Sequence, residues 1–292
     1  MRYIVAPLRA LILLLHIVEG IAISGLLFPA LDQRNRNRII GAWSRGLLRI
    51  CGTRLLVAGS PLDAELARQG VTPCAKGRML LVNHISWIDV FALLGALPSR
   101  FVAKSEIGRW PLVGWLVTLV GTLYIERGRR HAVAAMNHRV RARLEAGESI
   151  VVFAEGTTTE GFGLLPFHSN LIAPALEVGC PIWPTALRYT EQGVQTTAAG
   201  FVGDMGLVTS LWNILVARDL QVEVAYLTPL AADAARTRHQ VANLARATIA
   251  GHLGVALEPP QHAHRGTDAP TTAALPVDTQ PAQSSAQASA SQ

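Results

Sequence analysis

Apolar and polar positions alternate along the chain in two periods. Short apolar runs at 54–58, 79–82, 101–103, 122–125, 150–153, 182–187 and 222–227 have the length and β-branched content of buried strands. Helix-like segments separate them, notably 132–146, which stops at Gly147. This predicts an α/β domain over 53–256, with a mixed, largely parallel sheet flanked by helices. Ahead of it, residues 3–31 form the most apolar stretch, and 10–30 as a straight helix would reach roughly 30 Å, enough to span a bilayer. His16 and Glu19 complicate a simple span, since an ionised Glu near the bilayer centre costs about 2.5 kcal/mol or more. Gly20 and Gly25 offer points where such a helix could break, so a single span and a shallow two-helix insertion are both consistent with the pattern. The apolar run is too long for a secretory signal peptide and no small-x-small cleavage site closes it.

Arg34, Arg38, Arg45 and Arg49 come next, at offsets that place them within about 60° on a helical wheel, with Ile39, Trp43, Leu47 and Ile50 on the far side. A basic amphipathic helix on an anionic leaflet fits this, as does a core-packed surface helix with a solvated basic face. On either reading the arginine excess directs the α/β domain to the cytoplasmic side. Residues 257–292 are rich in Pro, Ser, Ala, Gln and Thr with few large apolar side chains, the composition of a disordered tail.

Composition sharpens this picture. Of 292 residues 50% are hydrophobic and only 16% charged, a balance that favours a membrane-attached protein. The net charge of +6 suits an anionic partner. Nucleic acid is excluded as that partner, because no zinc-finger spacing or aromatic ribonucleoprotein motif accompanies the basic residues, which lie beside the apolar anchor. Cys51, Cys74 and Cys180 are odd in number and scattered, which argues against a disulfide framework and fits a reducing compartment.

The candidate chemistry lies at 83–89, Asn-His-Ile-Ser-Trp-Ile-Asp. An apolar run ends there and a helix-like run, 87–97, begins, so Asn83 and His84 occupy a strand-to-helix turn, where α/β folds place reactive groups. Asp89, turning back from the first helical turn, could accept a hydrogen bond from one ring nitrogen of His84 and leave the other to take a proton from a substrate hydroxyl. The competing assignment is a capping-box pattern, in which the carboxylate only satisfies a backbone donor. No metal site has a recognisable ligand spacing.

The segment 83–89 resembles the first block of the glycerolipid acyltransferases of the 1-acylglycerol-3-phosphate acyltransferase type. Three further blocks succeed it in that family's order: 101–106 with Pro111, Gly114 and Trp115; 121–127; and 153–157. The resemblance implies a fatty acyl transfer from an acyl thioester to a lysolipid hydroxyl, with lysophosphatidate as the default acceptor. It makes His84 the general base and Asp89 its orienting partner. It assigns Asn83, Ser86, Lys104, Arg127, Glu155, Gly156 and Thr157 to substrate binding, with Arg127 on acceptor phosphate. No bound cofactor is implied; acyl-CoA or acyl carrier protein is the acyl donor and membrane lipids are the partners. Arg129, Arg130, Arg139, Arg141 and Arg143 could attract the phosphates of coenzyme A or an acidic acyl carrier protein, and a solvated helix face fits them equally. Relatives of this family use a membrane-embedded N-terminal helical pair, which favours the two-helix insertion for residues 1–52.

Two departures stand out. Glu126 occupies a position that is usually Asp, and Thr158 stands where the family block usually has a second arginine. The latter form is similar to the branch that acylates lyso-ornithine lipid, whose acceptor has no phosphate. A membrane-anchored lipid-binding protein without activity is a further reading, disfavoured by intact Asn83, His84, Asp89 and Glu155. A serine hydrolase is disfavoured by the absence of a Gly-x-Ser-x-Gly elbow.

Overall fold

The computed structural model describes residues 2–59, 77–105, 108, 114, 117–118, 121–125, 130–231 and 236–259. Ten strands are described: β1 (Thr53–Ala58), β2 (Arg78–Val82), β3 (Arg100–Lys104), β4 (Leu123–Ile125), β5 (Ser149–Phe153), β6 (Gly163–Leu164), β7 (Ile182–Glu191), β8 (Val194–Gln195), β9 (Leu220–Tyr226) and β10 (Ala256–Leu257). The described α-helices are α1 (Arg2–Leu26), α2 (Gln33–Ile50), α3 (Asp89–Ala96), α4 (Arg130–Glu145), α5 (Ala173–Val178), α6 (Leu207–Val216) and α7 (Arg238–Leu253).

The main sheet runs β1-β9-β7-β2-β5-β3-β4, with β8 folded back on β7. Neighbours from β7 to β4 are parallel; β9 is antiparallel to β7 and parallel to β1, so β1 and β9, with the short β8, run opposite to the other strands. The sheet is thus mixed and largely parallel, as the alternation of runs predicts. Its central strands read as unbroken apolar stretches because both faces are covered. On one face Leu80, Val82, Val151 and Trp183 pack with residues of α1, α2, α3 and α6; on the other Met79, Leu81, Ile150 and Val152 pack with α4, α5 and α7.

The chain leaves β2 into α3 on the first face, whereas the path after β5 leads to α5 on the second. Adjacent strands whose connections depart to opposite faces define a topological switch point, the position where such sheets open a crevice. The pairing of Val82 with Phe153 brings the exits of β2 and β5 side by side, and with them His84 and Glu155.

At the N-terminus α1 is one continuous helix, and Gly20 does not break it. A Cβ at Gly20 would lie 2.7 Å from the Trp43 indole nitrogen, so glycine there permits close approach to α2. His16 stacks on Trp43 with ring centroids 4.8 Å apart, donates from Nε2 to the Trp43 carbonyl (3.0 Å), and pairs with Glu19 at 2.9 Å. The Trp43 indole N–H in turn donates to the His16 carbonyl (3.0 Å). His16 and Glu19 are therefore both engaged. Arg9 lies beside Gly52 and donates to the Leu215 carbonyl of α6, so α1 runs antiparallel along α2 and also reaches α6. The outer side of α1 exposes Leu8, Leu11, Leu14, Leu15 and Val18.

Helix α2 begins at the Asp32 cap, whose carboxylate accepts from Asn35 N at 2.8 Å. Arg34, Arg38, Arg45 and Arg49 are all on its exposed side, and Arg45 also donates to the Gly95 carbonyl at the end of α3 (2.7 Å). Cys51 and Cys180 are buried thiols. Strand β10 pairs with β6, and Glu258 N donates to the Leu164 carbonyl (2.9 Å), so ordered structure continues slightly past the expected tail boundary.

Candidate active site

The turn leaving β2 is built from reciprocal ties. Asn83 is wholly buried, and its side-chain amide donates to the Leu187 carbonyl (3.0 Å) while accepting from Leu187 N (2.7 Å). Both ends of the amide are spent on β7, so its geometry is that of a clamp on the turn. His84 comes next, with its ring stacked on Phe153, centroids 3.8 Å apart and planes 14° from parallel. Its main-chain N–H donates to Glu155 Oε1 (2.8 Å), and its carbonyl accepts from Thr159 N (2.8 Å).

Asp89 is wholly buried at the first turn of α3. Its Oδ2 is 2.9 Å from His84 Nδ1 and also accepts from Ile85 N (2.8 Å) and Ser86 N (2.9 Å); Oδ1 accepts from the Tyr189 hydroxyl (2.7 Å). Capping and histidine contact, posed as alternatives by the sequence, are both made by one carboxylate. Because a carboxylate accepts, the proton on the ring belongs at Nδ1, which leaves the Nε2 lone pair available. No described residue bonds Nε2, and the His84 side chain keeps 19% of its surface exposed. The Ser86 hydroxyl, expected at the substrate, is buried beside this turn with no partner among the described residues.

Glu155 leaves β5 as a buried strut. Oε1 accepts from His84 N and Oε2 from Leu165 N at 2.9 Å. Burial pushes its carboxyl up to about 7, against the lowering effect of those two N–H donors, while the nearby charges of Glu258 and Asp89 push it further up. Gly156 adopts φ of 70°, and Gly161 meets Ile85 so closely that a Cβ there would be 2.9 Å from Ile85 Cδ1. Both positions require glycine. Thr157 is exposed on the same loop. The Thr158 hydroxyl donates to the Phe201 carbonyl, and Phe201 N donates to the Ile85 carbonyl (3.0 Å), so this loop, the 198–206 loop and the histidine turn are laced together.

Behind the loop, the Arg246 guanidinium donates to the carbonyls of Leu164 and Glu258. Lys104 closes β3, paired with Ile125; its side chain lies outside the described residues, as do Glu126 and Arg127. The structure thus brings together Asn83, His84, Ser86, Asp89, Glu155, Gly156 and Thr157. Sequence reasoning missed Phe153 as the ring under His84, although it ends an expected strand, and it missed Leu187 and Tyr189. The latter two carry no local signal, being about a hundred residues from their partners.

A histidine oriented by a buried carboxylate at a sheet switch point is equipped to take a proton from a bound hydroxyl. The family profile described as Acyltransferase matches residues 65–188. The chain belongs to the acyltransferase family and is an enzyme of that class. It is similar to a protein named 1-acyl-sn-glycerol-3-phosphate acyltransferase in Neisseria gonorrhoeae, with 33% identity over 209 residues, 72% of this chain and 77% of that one. It is also similar to a protein named lyso-ornithine lipid O-acyltransferase in Pseudomonas aeruginosa, with 36% identity over 217 residues, 72% of this chain and 79% of that one. The fold matches the crystal structure of the 1-acyl-sn-glycerophosphate acyltransferase of Thermotoga maritima with a TM-score of 0.60 at 17% identity, covering 87% of this chain and 97% of that one.

Proposed function

We propose that this enzyme transfers a fatty acyl chain from an acyl thioester to the hydroxyl of a lysolipid, with His84 as general base. The observation that carries this reading is the 2.9 Å contact between His84 Nδ1 and Asp89, with Nε2 left unbonded by described residues at the β2–β5 crevice. Nε2 takes the acceptor's hydroxyl proton as its oxygen attacks the thioester carbonyl carbon. As the C–S bond breaks, the imidazolium returns that proton to the departing thiolate. General base assistance of this kind contributes roughly 10² to 10⁴ in rate. Asp89 holds the tautomer and offsets the positive charge on the ring; Glu155 and Asn83 fix the main chain that leads into it.

Lysophosphatidate is the default acceptor, with Arg127 and Lys104 as the basic residues for its phosphate and acyl-CoA or acyl carrier protein as donor. Thr158 favours a second acceptor. With its hydroxyl turned to the Phe201 carbonyl, it adds no positive charge to the loop that also bonds His84, which suits a lyso-aminolipid such as lyso-ornithine lipid. The P. aeruginosa relative bears the name of that activity.

The α1–α2 pair is the membrane attachment. Val5–Ala30 is long and apolar enough to cross a bilayer. Its antiparallel packing on α2 nevertheless supports a shared, shallow insertion, because a perpendicular span would carry α2 and its exposed arginines into hydrocarbon. Those arginines suit the anionic cytoplasmic leaflet, which supports an active site on that face. The test is mass spectrometry of lipids formed by the purified protein in vesicles when lysophosphatidate and lyso-ornithine lipid compete. Product from either, abolished in His84→Ala at an unchanged protein level and vesicle association, is expected. More than a few per cent residual turnover in that variant rejects the base role.

A further inference from the structure

We propose that Tyr189 is a positioning residue of the reaction, holding Asp89 through the carboxylate oxygen that His84 does not use. Three donors converge on Asp89 Oδ2: His84 Nδ1, Ile85 N and Ser86 N. Bonds to a single oxygen leave the carboxylate plane free to turn, because the terminal torsion of an aspartate is broad. The Tyr189 hydroxyl on Oδ1 at 2.7 Å removes that freedom, and with it the tilt the carboxylate would pass to the imidazole. It is the one described side-chain donor on that oxygen, and the site is closed to solvent, with Asp89 wholly buried and Tyr189 only 1% exposed.

Strand β7 supports this contact: Leu187 and Tyr189 pair with Val224 and Val222 of β9, and on the other side Thr196 N donates to the Tyr189 carbonyl (3.1 Å). Leu187 acts through its main-chain N–H and carbonyl, Tyr189 through its side-chain hydroxyl. Leu187 clamps Asn83, immediately before His84, and Tyr189 holds Asp89 after it. One strand thus grips the catalytic turn at both ends. Burial, with the charge of Asp89, pushes the phenol well above its ordinary value, so it remains a donor at the pH values where the enzyme works.

The inference rests on His84 acting as base, and the experiment separates the two. Tyr189→Phe, assayed as purified enzyme in vesicles by product mass spectrometry, is expected to lower kcat about tenfold or more while KM stays within about twofold and the melting temperature near wild type. A fluorinated tyrosine at position 189 has nearly the same size and a more acidic phenol; it is expected to alter kcat more than about twofold at constant KM and melting temperature, which a phenol that only fills space would not do. This second variant also answers the question if the phenylalanine protein fails to fold. Wild-type kcat in the fluorinated protein, or in a folded Tyr189→Phe, overturns the proposal. His84→Ala is run alongside: activity retained there defeats the base reading itself, whereas an inactive His84→Ala beside normal Tyr189 variants defeats only the part given to the tyrosine.

Discussion

Asp89→Asn separates catalysis from capping. Asparagine can place its carbonyl oxygen where Oδ2 lies, still accepting from Ile85 N, Ser86 N and His84 Nδ1, with its NH₂ toward the Tyr189 oxygen. The turn therefore keeps its acceptor, and the expected stability change is about 1 kcal/mol. What disappears is the negative charge facing the imidazolium as it forms. Unit charges about 4 Å apart at an effective dielectric near 20 attract by about 4 kcal/mol. Allowing about 1 kcal/mol for the neutral hydrogen bond that survives, the loss is about 3 kcal/mol, or roughly two powers of ten in kcat. Thermal unfolding and single-turnover product formation, measured on the same preparation, give both quantities. A variant that melts like wild type and retains kcat within about threefold would reduce Asp89 to a cap and refute the electrostatic argument.

Glu155 titrates near 4.5 when unfolded and near 7 in the fold, so the native state binds its proton more tightly. The stability tied to that proton is present below about pH 4.5 and is lost as pH rises through about 7, on the order of 3 kcal/mol at most; urea unfolding between pH 5 and 8 should fall less steeply in Glu155→Gln, and equal slopes would show the carboxyl to be uncoupled. Replacing Arg34, Arg38 and Arg49 together by Gln should weaken binding to anionic vesicles by about 1 kcal/mol per charge and flatten its salt dependence, whereas binding indifferent to both changes would contradict a basic interfacial face. Thr158→Arg should raise the specificity constant for lysophosphatidate relative to lyso-ornithine lipid; an unchanged ratio would remove Thr158 from head-group recognition.

The central strands were legible because burial on both faces writes itself locally, as unbroken runs such as 79–82 and 150–153. The His84–Asp89 contact was legible for a related reason: it spans a single turn, and spacing alone places both groups on it. The strut from Glu155 to His84 was not, since it depends on the register of β2 against β5, which no local pattern encodes. Asn83 shows the same limit. The family resemblance assigns it to substrate binding, and only the β7 pairing reveals that Leu187 takes both ends of its amide. The two-residue strands β6, β8 and β10 are too short for any period to register.

The pairing of β10 with β6 bears on where the protein can be cut. From Glu258 and Arg246 a line of hydrogen bonds runs through the main chain of Leu164 and Leu165 and the Glu155 carboxylate to the amide of His84. A chain shortened for expression should therefore end no earlier than Pro259. Removing a few more residues would take away nothing that touches a substrate, yet the loss would be felt at the histidine as a loosened backbone.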